Sequence, residues 1–233
     1  MDDVCGLEMI WVPGGAFQMG DEIGGGLENE LPVHEVVLDG FYMGLCPVTQ
    51  GQWMKQMPEN PSRFQGADLP VEQVTWHDVA AFIRKLNAAH DGRYNFDLPT
   101  EAQWEYAARS GGRTELYAGG DDIFNLAWFE ENSGGRTHAV GKKAPNGLGL
   151  FDMSGNVWEW CRDTFVAHAY ARHAARNPVV EIDGSDRVIR GGSWNLDAWS
   201  ARCSRRFSFR SDLFGAGLGF RMAMVPKGDS SNR

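Results

Sequence analysis

Glycine recurs along the whole of this 233-residue chain, and its 29 glycines divide the sequence into short segments. Because glycine favours turns and weakens long helices, such a chain folds into short strands and loops rather than into a helical bundle. Nine tryptophans accompany the glycines, and large aromatic side chains supply buried area that short elements lack. The length is ample for a hydrophobic core. The sequence therefore predicts a loop-rich fold held together by aromatic side chains.

Three helices are predicted in the first half of the chain. Helical spacing of apolar residues after Thr75, a candidate N-cap, predicts a helix over about 76–88. Thr100 and Gln103 form a capping box for a second helix over about 101–110. A shorter helix is predicted within Pro47–Met57, with Thr49 as its N-cap.

Short strands are predicted mainly in the second half. The candidate strand segments are Met9–Met19, which contains a Pro-Gly-Gly turn, His34–Met43, Thr137–Gly141, Val157–Cys161, Arg187–Gly191 and Leu218–Met224. Early helices, late strands and long loops predict an α+β fold rather than a doubly wound sheet. We expect one domain over residues 1–226, with the two end segments in one sheet, and a disordered tail over 227–233.

Composition narrows the possible functions. The net charge of −9 argues against general binding to nucleic acid or to anionic membranes. No stretch is apolar enough to span a membrane, and the acidic N-terminus does not resemble a signal peptide, so the cytoplasm is the default expectation. The four cysteines, at positions 5, 46, 161 and 203, form no C-x-x-C pair, which argues against a structural zinc site.

Seven phrases in order resemble one protein family over nearly the whole chain. They are VPGGAFQMG (12–20), ENELPVHEVVLDGFYMGLCPVT (28–49), LPVEQVTWHDVAAF (69–82), LPTEAQWEYAAR (98–109), PNGLGLFDMSGNVWEW (145–160), RVIRGGSW (187–194) and LGFRMA (218–223). The chain is similar to the formylglycine-generating-enzyme domain, also called the sulfatase-modifying factor. This resemblance implies a C-type-lectin-like α+β fold with few helices, short strands and long loops. A fold does not by itself imply a function.

The resemblance also shows where an enzyme site would lie. The generating enzymes carry a pair of cysteines after the RGGSW-type motif, and those soft thiolates bind copper. Residues 195–203 contain one cysteine, Cys203, which is nearer to a downstream structural position of the family than to either catalytic position. We expect Cys161 to be a small buried residue. We therefore expect neither copper nor formylglycine generation. His34 and His138 lie in family motifs and are expected to make structural hydrogen bonds.

A turn within the family motif DMSGNVWEW resembles a calcium site. The matching positions supply the carboxylates of Asp152 and Glu159 and the backbone carbonyls of Gly155 and Val157. Hard oxygen ligands around a glycine turn suit Ca²⁺. The alternative is that both carboxylates only cap turns and pair with arginines.

Residues 195–217, hereafter the 195–217 segment, have an unusual composition between two well-matched motifs. The segment combines aromatic and aliphatic residues with Ser, Arg and Asp, and it contains no Lys, Glu, Gln or Met. It resembles the variable region of proteins diversified by retroelements, in which adenine mutagenesis of Asn codons yields neither those four residue types nor Trp. Trp199 is an exception that an AGG arginine codon would explain. Arg202 and Arg206 match arginine positions of the family, so we expect them in structural salt bridges.

Aromatic residues beside Ser, Arg and Asp are typical of binding surfaces. We therefore expect a ligand-binding surface formed by Leu196, Asp197, Trp199, Ser200, Ser204, Arg205, Phe207, Phe209, Arg210, Leu213, Phe214, Gly215 and Ala216. The leading hypothesis is a non-enzymatic variable protein that binds a protein or another macromolecule. Two alternatives are a formylglycine-generating-enzyme-like oxidoreductase and a regulatory domain of that family. A further alternative is that the aromatics of the segment are simply core.

Overall fold

The computed structural model describes residues 4–91 and 93–224. Its ten described strands are β1 (Met9–Val12), β2 (Gly15–Met19), β3 (His34–Leu38), β4 (Phe41–Gly44), β5 (Phe96–Asp97), β6 (Trp158–Thr164), β7 (Asp186–Arg190), β8 (Arg206–Arg210), β9 (Leu218–Gly219) and β10 (Ala223–Met224). The helices of the same part are α1 (Gln50–Trp53), α2 (Trp76–Ala89), α3 (Glu101–Ala108) and α4 (Ile123–Leu126), with 3-10 helices at Glu28–Glu30, Ala169–Arg172 and Ala198–Ala201. The tail predicted over 227–233 lies outside the described residues.

The predicted helices are confirmed because their signals are local. Thr75 caps α2 by accepting a hydrogen bond from the Asp78 backbone N–H at 3.1 Å. Thr100 caps α3 in the same way, from the Gln103 N–H at 3.2 Å. Each cap satisfies a backbone donor that the helix leaves unpaired. The short helix expected near Thr49 is α1.

The first sheet brings the two ends of the described chain together, in the strand order β1-β4-β10-β5. The expected meeting of the end segments is therefore confirmed. The Leu218–Met224 segment does not form one strand, however. Its first half is β9, which pairs in parallel with β6 in another sheet, and its second half is β10.

One predicted strand, Thr137–Gly141, is wrong. These residues are irregular, because their backbone groups bond outside any sheet. The Val140 N–H donates to the Asp68 carbonyl at 3.0 Å. The Gly141 N–H donates to the Asp152 carboxylate at 2.7 Å.

The sheet β8-β7-β6-β9 separates two sets of side chains by strand alternation. On the face toward α3, Arg190 of β7 and Arg206 of β8 lie opposite each other in the pairing register and are fully buried. On the other face, Ile189 pairs with Phe207. The sheet therefore directs Arg206 inward and its neighbour Phe207 toward the opposite surface.

A buried ion network fills the space between α3 and this sheet. The Arg206 guanidinium binds both carboxylate oxygens of Glu101 at 2.7 Å. Arg190 pairs with Glu105 and lies 3.4 Å from Glu101, and Arg109 donates to Glu105 at 3.0 Å. Burial alone would raise the pKa of Glu101, but Arg206 and Arg190 outweigh it and hold that pKa below its usual value. Glu101 thus remains charged inside the fold.

Removing one partner from this network should strongly destabilise the protein. Arg190→Ala leaves two fully buried carboxylates with one arginine each, Arg206 for Glu101 and Arg109 for Glu105, and removing one partner from a buried ion pair costs about 3–5 kcal/mol. The matched control is Arg176→Ala, which breaks an ion pair with Asp39 between exposed side chains and should cost less than about 1 kcal/mol. Urea unfolding of both variants measures the difference. Equal losses would contradict a structural role for the network.

Candidate functional site: the surface of the 195–217 segment

The 195–217 segment places several large side chains in solvent. Phe214 is 58% exposed, Phe207 and Leu213 are each 45% exposed, and Trp199 is 37% exposed. Asp197 and Arg210 are also exposed, whereas the half-buried members are Leu196, Ser200, Phe209, Gly215 and Ala216. Leu196 and Phe209 pack against the hydrophobic core. The alternative that all these aromatics are core therefore does not hold.

Backbone carbonyls attach this segment to its surroundings, and among its exposed aromatic side chains Trp199 adds a bond of 3.3 Å from its indole N–H to the Gly25 carbonyl. The Ser211 carbonyl accepts from the Trp76 N–H at 3.1 Å, and the Gly215 carbonyl accepts from the Gln73 N–H at 3.1 Å. The Leu196 carbonyl accepts from the Glu130 N–H at 2.9 Å. Because every residue type supplies the same carbonyl, the carbonyl attachments do not depend on which side chain a position carries.

Two predicted surface residues are buried, and for them the expectation of exposure is wrong. Ser204 is 5% exposed, because its hydroxyl lies 3.0 Å from the Arg202 guanidinium inside the fold. Arg205 is 8% exposed, because its guanidinium lies over the rings of Trp199 and Phe207, 4.6 and 5.4 Å from their centroids. Arg205 therefore supports the exposed aromatics from beneath.

Three polar residues of the predicted binding surface have local hydrogen-bond or ion-pair partners that the sequence did not indicate. Asp197 is the N-cap of the 3-10 helix Ala198–Ala201, and its carboxylate accepts from the Ser200 N–H and hydroxyl at 3.0 and 2.8 Å. Arg210 pairs with Asp212 at 2.7 Å, and strand alternation puts it on the face of β8 opposite to Phe207. The surface is thus centred on the aromatics.

The structural arginines behave as expected. Arg202 binds Glu30 through two hydrogen bonds of 2.9 and 3.0 Å, and Arg206 binds Glu101 as described above. The ring of His138 lies 2.7 Å from the Ser133 carbonyl, and that of His34 lies 3.1 Å from the Pro32 carbonyl. These groups hold the loops around the 195–217 segment.

A shallow groove of about 200 Å³ runs beside Phe207 and Phe209. Leu196, Gly215 and Ala216 form part of its wall, so five predicted site residues come together here. Sequence reasoning missed the floor, which consists of Trp158, Ile189 and Leu218 from three neighbouring strands. These three residues lie in family motifs, which is the only sign of their importance in the sequence. A residue in such a motif can belong either to a groove floor or to the hydrophobic core, so the motif does not identify the groove. The groove lining contains no charged residue.

The predicted calcium ligands already have protein partners. Both Glu159 oxygens accept from Arg221, at 2.6 and 2.7 Å, and one also accepts from the Trp104 indole at 2.6 Å. Asp152 accepts from the Gly141 N–H at 2.7 Å, and burial is the main cause of its raised pKa. No group of three potential metal-ligating side chains occurs among the described residues. This geometry favours the structural alternative, while calcium binding by Asp152, Gly155, Val157 and Glu159 stays a prediction.

The cysteine thiols near the expected enzyme site are protonated at neutral pH. Burial raises the pKa of Cys203 to about 12. Burial also raises the pKa of Cys161 well above its usual value. Because a thiolate is the form that binds metals and attacks electrophiles, neither thiol is activated in this structure.

Comparisons with known proteins place the chain among established relatives. The family model described as "Sulfatase-modifying factor enzyme 1-like domain" matches residues 4–225. The chain is 29% identical to a formylglycine-generating enzyme of Streptomyces coelicolor, over 92% of this chain and 88% of that one. It is 32% identical to the serine/threonine-protein kinase Pkn1 of Chlamydia trachomatis, over 93% of this chain but only 38% of the kinase.

A solved structure shows the same fold. Treponema denticola variable protein 1 superimposes with a TM-score of 0.87 at 29% identity, and the match covers 94% of this chain and 95% of that protein. The expected fold type is therefore confirmed. No helix in residues 4–91 and 93–224 has the length and apolar character needed to cross a membrane.

The exposed aromatics should tolerate replacement. Phe207→Ser and Phe214→Ser change side chains that are about half in water, so we expect losses of less than about 1 kcal/mol. The matched control is Phe220→Ser, which removes a fully buried ring and should cost at least about 3 kcal/mol. Thermal melting compares the three variants. Unfolding of all three would place the aromatics in the core and remove the binding surface.

Chelation tests the calcium site. If the turn between Asp152 and Glu159 binds Ca²⁺ only in the folded state, the metal stabilises that state and EDTA lowers the melting temperature. Glu159→Gln is unsuitable as a control, because it also breaks the ion pair with Arg221. Asp152→Asn should abolish the EDTA effect. A melting curve that EDTA leaves unchanged would exclude the site.

Proposed function

The chain belongs to the family of sulfatase-modifying factor enzyme 1-like domains, and we propose that it is a ligand-binding variable protein within that family. In this proposal the exposed side chains of the 195–217 segment are diversified by a retroelement. They bind a macromolecule, and the rest of the domain is a scaffold. The protein carries out no oxidation.

The observation that carries the proposal is the way in which the 195–217 segment is attached. Its backbone carbonyls bond to fixed segments, while Phe207, Leu213 and Phe214 extend into solvent and Trp199 is partly exposed. A surface built in this way accepts many side chains without loss of the fold. The similarity to a protein whose name is "variable protein" supports the same conclusion.

The size of the groove supports a macromolecular ligand. Sites for small molecules usually measure about 300–1,000 Å³, whereas this groove measures about 200 Å³. It is large enough for a single apolar side chain from a partner surface. Exposed aromatics beside such a pocket are typical of the central contacts of protein interfaces. We therefore propose a protein ligand.

The main alternative is an enzyme like the relative from Streptomyces coelicolor. Its supporting observation is sequence similarity over most of both chains. The protonated, buried thiol of Cys203 and the lack of a second cysteine in residues 195–203 argue against a two-thiolate copper site here. The observation that favours a regulatory role is the similarity to the kinase Pkn1, of which the match covers 38%.

Sequencing the genomic locus tests the proposed diversification. We expect a reverse transcriptase gene nearby and a near-copy of the DNA that encodes residues 190–221. Differences between the two copies should fall at adenines of the near-copy. A neighbouring sulfatase gene without such a copy would contradict the proposal and favour the enzyme.

A direct assay tests the enzymatic alternative. Purified protein is incubated with Cu(I), oxygen and a cysteine peptide of the sulfatase type, and mass spectrometry monitors the peptide. We expect no conversion to formylglycine, because one buried thiol cannot supply two soft thiolate ligands. A formylglycine-generating enzyme serves as the positive control. Turnover by this protein would overturn our interpretation of residues 195–203.

A further inference from the structure

An aromatic and basic surface lies directly beside the groove. Trp194 joins the two, because its indole N–H donates to the Ala216 carbonyl in the groove wall at 2.9 Å. The ring of Phe64 meets the ring of Trp194 edge to face, with 5.5 Å between their centroids. The guanidinium groups of Arg63 and Arg136 lie over the Phe64 ring, 5.3 and 5.9 Å from its centroid. We refer to these four residues, Arg63, Phe64, Arg136 and Trp194, as the arginine flank.

The aromatic residues of the arginine flank are held in place by the fold. The Phe64 N–H donates to the buried carboxylate of Glu72 at 3.0 Å. The Phe64 carbonyl accepts from the Gln50 side-chain amide at 2.7 Å. The Trp194 carbonyl accepts from the Ser133 hydroxyl at 2.8 Å. Both residues are therefore positioned before a ligand arrives, which lowers the ordering cost of binding.

The two arginines of the flank are exposed and carry unpaired charge. Within residues 4–91 and 93–224, neither of them forms an ion pair with a carboxylate. Glu130 and Glu131 lie in the loop that leads to Arg136, but both are exposed and do not pair with it. The protein has a net charge of −9, yet this part of its surface presents two accessible cations to a ligand.

The spacing of the two guanidinium groups suits neighbouring acidic side chains of one partner. Because both groups lie over a single ring, their central carbons are separated by no more than the sum of their distances to its centroid. Alternate side chains of an extended peptide point the same way and lie about 7 Å apart. Two carboxylates on such a peptide can therefore each meet one guanidinium through charge-assisted hydrogen bonds.

We propose that the protein ligand inserts an apolar side chain into the groove while acidic residues beside that side chain bind Arg63 and Arg136. This inference rests on the proposed function and names the chemistry of the ligand. The arginine flank lies outside the 195–217 segment, so every diversified variant retains it. The flank thus favours acidic partner surfaces as a class, and the exposed aromatics select among them. Charges placed in this way act mainly on specificity and on the rate of association.

An NMR titration of the intact protein at low salt tests the inference. The probe is a pentapeptide with one leucine between two pairs of glutamates, and the reporters are the Trp194 indole N–H and the Nε–H signals of Arg63 and Arg136. We expect saturable shifts of all three signals. The same peptide with glutamines in place of the glutamates should bind at least about fivefold more weakly, because it lacks the charge-assisted contacts. Added salt should remove this difference by screening the exposed charges.

Paired variants separate the flank from general attraction. The double variant of Arg63→Gln and Arg136→Gln should bind the acidic peptide no better than the glutamine peptide. The matched control combines Arg84→Gln with Arg172→Gln, removes two exposed charges elsewhere and should keep the acidic preference. All four side chains are exposed, so both proteins should fold. Absence of saturable shifts, equal binding of the two peptides, or an equal loss in the control would overturn the inference.

This inference and the proposed function can fail separately. If the genomic locus contains the near-copy and the two peptides bind equally, the acidic preference is wrong and the proposed function stands. If the acidic peptide is preferred but the locus contains no near-copy, the arginine flank binds acidic partners and the diversification is wrong.

Discussion

The buried pairing of α3 glutamates with the arginines of β7 and β8 is the interaction on which the remaining structure depends. Glu101 and Glu105 are one helical turn apart, so both carboxylates face the same sheet. Arg190 and Arg206 meet them there without exposure to water. An ion pair of this kind contributes little net stability compared with apolar packing, but it penalises any arrangement that separates the charges. The network therefore fixes the position of β8 relative to α3, and with it the course of the 195–217 segment.

Because successive side chains of a strand point to opposite faces, the buried position of Arg206 also determines which residues of β8 face outward. With Arg206 held inward, Phe207 must point to the other face of the sheet, where it reaches solvent beside the groove. The loop that follows is attached through the carbonyls of Ser211 and Gly215, so its exposed side chains carry little of the fold's stability. A rigid backbone with replaceable side chains suits a binding surface that changes, because a backbone that is already ordered loses little conformational entropy when a ligand binds, whichever side chains it carries.

The sequence predicts local features well and distant pairings poorly. The caps at Thr75 and Thr100 depend on residues three positions away, and both helices follow as expected. The burial of Arg205 depends on Trp199 and Phe207 folding over it, which composition alone does not reveal. The partners of Arg190 and Arg206 lie on α3, about 85 and 105 residues away in the chain, so no spacing rule finds them. The Leu218–Met224 segment was predicted as one strand because its apolar pattern is continuous, but tertiary pairing divides it between two sheets.

The central claim is that a fixed scaffold carries an exchangeable binding surface, and a displayed library measures this directly. Trp199, Phe207, Leu213 and Phe214 are randomised together on the surface of yeast, and the cells are sorted first for folded display and then for binding to lysozyme. A second library randomises Arg84, Lys85, Arg172 and Arg176, which are exposed elsewhere. The account predicts that both libraries display at the parental level and that only the first yields binders. Loss of display in the first library, or binders at equal frequency in both, would contradict it.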